Sequence, residues 1–158
     1  MAENTTGSNA TEVLFYHLER QPLAKVLPSL LEKTVQRGWR AIVKSGSQER
    51  LDALDLVLWT YTEDSFLAHG TQKDGFAEQQ PIYLTLGDES PNGAKVRFFV
   101  DGADFGDLTG LVRAIFMFDG TDDDATAKAR LQWKAVKSAN YPCTYWQQTP
   151  EGRWDKKA

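Results

Sequence analysis

Short apolar runs of strand type alternate along this chain with longer segments whose apolar residues recur at helical spacing, and that alternation limits the folds open to it. Val13 to Leu18 is the first such run, and after Pro22 the residues Leu23, Val26, Leu27, Leu30, Leu31 and Val35 form a helical stripe. Gly38 closes that helix, and Trp39 to Val43 reads as a second buried strand. Ser45-Gly46-Ser47 is a turn whose serines can cap the helix carrying Leu51, Leu54, Val57 and Leu58. Beyond a loop around Thr71 to Gln80, Ile82 to Leu86 and Lys95 to Val100 have strand character, the latter ending at Asp101-Gly102. The spacing then predicts a helix over Phe105 to Phe118. A last helix, capped by Thr121, carries Asp122, Asp123 and Asp124 in its first turn, where the helix dipole favours them, and runs to about Asn140. Tyr141 to Gln148 is the final strand, with Pro142 at its start, where a missing N–H is tolerated.

Such alternation predicts a single three-layer α/β/α domain with a largely parallel sheet, while leaving the strand order open. The expected boundaries are a flexible, small and polar segment over 1–11, the domain over 12–149, and a polar tail over 150–158 that is featureless apart from Trp154. A chain of 158 residues with 41% hydrophobic content is long enough to bury one sizeable core. Its net charge of -4 opposes autonomous tight binding to DNA or RNA, which needs a cluster of cations to release counterions. Cys143 is the single cysteine, so no internal disulfide exists, and no stretch has the length and apolarity of a signal peptide core or membrane span. The expected compartment is the cytoplasm.

Phosphate-binding α/β domains need glycines in the first strand-to-helix turn, and His17-Leu18-Glu19-Arg20-Gln21-Pro22 contains none. Asp101-Gly102-Ala103-Asp104-Phe105-Gly106 has neither the dinucleotide spacing nor a Walker lysine. The soft and imidazole ligands, Cys143, His17 and His69, lie far apart in sequence, so neither a metal nor a cofactor is expected. A Cys-His nucleophile pair has no supporting spacing, and no carboxylate sits in a context that would mark a general acid.

What remains is a stripe. Arg130, Trp133, Lys134 and Lys137 fall within an arc of about 100° on the last helix. On an acidic protein, a local basic and aromatic face fits one acidic, partly apolar ligand better than a phosphate polymer, although a solvated helix face with a half-buried indole has the same pattern. Trp59, read alone, fits core and site equally. Phe66, read alone, is a loop residue folded back on the core.

The segments FYHL, PLAKVLPSLLEKTVQRGWRAIV, ERLDALDLVLWTYTEDSFLAHG, PIYLTLG, NGAKVRFFVDG, FDGTDDDATAKARLQWKAVKSAN and TYWQQTPEGRW together resemble the chi subunit of the bacterial DNA polymerase III clamp-loader assembly, from about Leu14 to Trp154. That resemblance implies a Rossmann-like α/β adaptor without a nucleotide-binding glycine loop and without catalytic activity. Its partners would be the acidic, phenylalanine-terminated C-terminal tail of single-stranded DNA-binding protein and the psi subunit, or a repair helicase at the psi surface. The tail site it implies is Arg130, Trp133 and Lys134 with Trp59, and Lys137 joins them as a steering charge. Better-known members carry tyrosine at the Trp133 position and a lysine where this chain has Thr126, and Lys128 or Lys137 are the candidates to replace that charge. Phe66 and Leu67 are the implied anchors for psi. Two other readings stay open: a small-molecule enzyme of nucleotide-binding type, and a direct single-strand binder that stacks bases on Trp133 and Trp59.

Overall fold

The computed structural model describes residues 11–60 and 68–158. Its elements in chain order are β1 (Glu12–Leu18), α1 (Leu23–Gln36), β2 (Ala41–Lys44), α2 (Gln48–Thr60), β3 (Ile82–Thr85), β4 (Val96–Phe99), β5 (Arg113–Asp119), α3 (Asp123–Ser138), β6 (Cys143–Gln148) and β7 (Trp154–Lys156), with two single-turn 3-10 helices between α2 and β3. Seven strands form one sheet in the order β3-β2-β4-β5-β1-β6-β7. Every pairing is parallel except the last, β6 with β7.

The period-2 alternation of side chains divides the core into two layers. Leu14, Leu18, Val43, Phe98, Ile115 and Met117 point to one face and pack with Leu27, Leu31, Leu51, Leu54 and Leu58 of α1 and α2. Val13, Phe15, Phe99, Ala114 and Phe116 point to the other, where Val136 and Trp133 of α3 cover them. A three-layer α/β/α domain with a largely parallel sheet is therefore what this sequence builds. Local signals fix the joints: Gly38 takes the left-handed φ of +84° just beyond α1, and Ser47 Oγ accepts the Arg50 N–H at the start of α2.

Three elements differ from the sequence expectation. Phe105 to Phe118 is not a helix: it is a loop followed by β5, whose Ala114 to Met117 are all buried. A strand covered on both faces is a continuous apolar run, which carries no period to separate it from a helix, and Gly106 and Gly110 break the segment where a helix would have to continue. The cap of α3 is Asp122, whose carboxylate accepts the N–H groups of Asp124 and Ala125 at 2.9 and 3.2 Å, while the Thr121 hydroxyl donates to Asp119 instead. The C-terminal residues are not featureless, because Trp154–Lys156 adds the antiparallel edge strand β7, held by the half-buried Trp154 ring.

Candidate functional site

Helix α3 lies across the face of the sheet formed by β5, β1 and β6, and it buries Ala129 and Val136. The same rotation that buries these two leaves Arg130, Lys134 and Lys137 exposed and Trp133 half-buried between solvent and core. The indole is fixed edge-on by two rings below it, Phe15 of β1 at 5.3 Å and Tyr145 of β6 at 5.7 Å between centroids. Lys137 Nζ stands 5.6 Å from the centroid of the Trp133 ring system, a cation–π distance. Tyr145 is itself anchored, its hydroxyl 2.7 Å from His17 Nδ1. Burial pushes the Tyr145 phenol above its ordinary range, and the positive charge of Arg130 opposes that push, so the guanidinium lies within electrostatic reach of the ring.

Arg130, Trp133, Lys134 and Lys137 thus share one surface, with Tyr145 as a member that the helix pattern does not reveal. Only the strand register does so, by setting Tyr145 opposite Phe15. Arg130 and Lys134 make no ion pair or hydrogen bond among the described residues. Lys128 is different: it is ion-paired with Asp104 at 2.9 Å and donates to the Gly102 carbonyl, so it supplies no free charge here.

Trp59 does not join this group. It sits at the end of α2, on the opposite side of the sheet from α3, 52% exposed, with its ring 4.8 Å from that of buried His69, whose Nε2 meets Asp55 Oδ1 at 2.8 Å. Phe66 and Leu67 lie outside the described residues.

An α/β sheet offers a second place for ligands, the crevice at the strand C-termini where consecutive helices diverge to opposite faces. Here that point lies between β1 and β5, since α1 follows one and α3 the other. A cleft of about 770 Å³ opens there, with Arg20, Arg50 and Lys128 set against Glu19, Asp101, Asp119, Asp122 and Asp124. Arg50 is spent on Asp101 at 3.3 Å. Three consecutive backbone N–H groups, of Glu19, Arg20 and Gln21, converge at 3.2, 2.8 and 3.0 Å on one acceptor, Oε1 of the buried Gln148, whose Nε2 donates to Gln21 Oε1. The turn that cradles phosphate in nucleotide-binding relatives of this architecture is filled by the chain's own amide.

Residues 10–144 match the sequence profile of the family described as "DNA polymerase III chi subunit, HolC". The chain belongs to that family. It is also similar to the "Probable DNA polymerase III subunit chi" of Rickettsia prowazekii (strain Madrid E), with 26% identity over 103 residues, 65% of this chain. The matched region spans 62% of the length of that curated relative. On the surface of α3 and β6 the unpaired cations Arg130 and Lys134 coincide with the partly open ring of Trp133. Among the described residues no helix is long and apolar enough to cross a membrane, and no group of three or more His, Cys, Asp or Glu side chains could hold a metal ion.

Proposed function

We propose that this chain is a non-catalytic accessory subunit of the DNA polymerase III assembly, working in the cytoplasm, and that its α3 face holds the acidic, phenylalanine-ended tail of single-stranded DNA-binding protein. The observation that carries this reading is the pair of unspent cations, Arg130 and Lys134, beside a Trp133 ring that is neither sealed in the core nor fully wet. Arg130 offers a planar fork for a carboxylate, whereas Lys134 and Lys137 act as point charges that steer an acidic peptide. Trp133 and Tyr145 supply apolar area for the terminal ring and keep water from the charge pairs. Linking a polymerase assembly to a protein-coated strand through such a tail raises local concentration without the α3 face itself touching DNA. On this reading Phe66 and Leu67 anchor the psi subunit, or a repair helicase in its place. Trp59 stands apart from the α3 surface and has no part in the tail site.

A nucleotide-dependent activity has less support, because Gln148 fills the phosphate-binding turn and five carboxylates line the neighbouring cleft. The decisive measurement is fluorescence anisotropy of a labelled peptide ending in aspartates, proline and a free phenylalanine carboxylate. Saturable binding that weakens with salt and disappears on Arg130→Ala is expected. A folded protein that ignores the peptide at low salt overturns the reading.

A further inference from the structure

The face of the sheet opposite α3 is only partly roofed. Helix α1 packs over β2 and β5, and beyond it the strands β6 and β7 continue the sheet. Register places Tyr16 of β1 opposite Trp146 of β6, and Trp146 opposite Lys156 of β7, so these three side chains form a row across adjacent strands on one face. Trp154 stands on that face as well, its ring 5.1 Å from Tyr16 in an edge-on arrangement. All three rings are half-buried, with their remaining surface open to solvent.

Cations flank them. Arg113, at the foot of β5 on the same face, holds its guanidinium 5.6 Å from the centroid of the Trp39 ring, and Arg37, just past the end of α1, holds another at 5.6 Å. Arg113 is also near enough to Tyr16 to oppose the upward push that burial gives its phenol. One carboxylate offsets the charge of Arg113 and a second faces away, whereas Arg37 and Lys156 make no ion pair among the described residues. Glu12 is tied to Arg113 Nε at 3.0 Å, and Asp155 pairs in register with Gln147 and so faces the other layer.

We propose that this open face, with Tyr16, Trp146 and Trp154 as its platform and Arg37 and Lys156 as the unpaired cations around it, binds single-stranded nucleic acid. Bases stack on sheet-borne aromatic rings whatever their sequence, and a few cations track the backbone. An acidic peptide with a single terminal ring would use the cations and one ring of the row, whereas a strand of splayed bases uses the cations and all three. The ratio of rings to free charges also fits an acidic chain: stacking provides most of the affinity, and the protein neutralises few phosphates. The surface is independent of the tail site, because α3 lies on the opposite side of the sheet, so tail and strand can be held together.

The test is anisotropy of a labelled oligothymidylate of about twelve nucleotides against the full chain at low salt, with tryptophan emission followed in parallel. Saturable binding, quenched emission and a log–log salt slope of only about −1 to −2 are expected. Lys156→Glu and Arg37→Glu, both exposed charges whose loss leaves the core intact, should each weaken binding several-fold, and Trp154→Ala about tenfold. Arg130→Ala should leave it unchanged. Absence of binding, equal binding of a duplex, displacement by an acidic peptide of the same charge, or loss on Arg130→Ala instead of Lys156→Glu each overturns the proposal.

Discussion

The α3 face and the cleft between β1 and β5 both carry charge, but they spend it differently. In the cleft, Arg50 is paired with Asp101, Lys128 with Asp104, and the N–H groups of the first turn with Gln148. On α3, Arg130 and Lys134 are left without partners among the described residues, and Lys137 meets only the indole face of Trp133. Polar groups that satisfy each other hold a fold together, and polar groups that do not are available to a ligand. The comparison puts the candidate binding site away from the position that the architecture by itself would favour.

The largest effect should come from Gln148→Ala, which strips three backbone donors of one shared acceptor. A loss of about 3 kcal/mol in denaturant unfolding is expected, without any gain of nucleotide binding. A variant that keeps its stability would show that the turn is not held closed in this way, and one that now binds ATP would show that the amide alone keeps phosphate out. Arg130→Ala should weaken the tail peptide by about 2 kcal/mol with stability unchanged, whereas Arg50→Ala, equally cationic but already paired, should not alter peptide affinity. Equal losses from the two would erase the distinction between the regions. Asp122→Ala removes the side-chain cap of α3 and should cost about 1 kcal/mol of stability, with little change in the affinity of the folded protein for peptide. The smallest effect is assigned to Trp59→Ala, below about 0.5 kcal/mol on peptide affinity, since its ring lies across the sheet from α3. A tenfold loss there would mean that the tail reaches around the molecule.

Much of this was legible before any coordinates. The stripe of Arg130, Trp133, Lys134 and Lys137 follows from helical period alone, and the absence of glycine between His17 and Pro22 points away from a phosphate loop. Other features depend on long-range pairing, which local pattern does not encode. Tyr145 reaches the site because β6 lies beside β1, and Trp59 misses it because α2 and α3 are laid on opposite faces. The misreading of Phe105 to Phe118 has a related cause: β5 is buried on both sides, so tertiary packing erased the alternation by which a strand is recognised. Trp154, within the expected polar tail, marked a strand that only its pairing with β6 makes visible.

Gln148 also bears on how such a subunit fares in a living cell. Triphosphates are abundant there, and many sheets of this architecture respond to them. A turn whose donors are already committed to an internal amide gives phosphate no vacancy, so the proposed tail site on α3 would operate with indifference to energy charge and metabolic state.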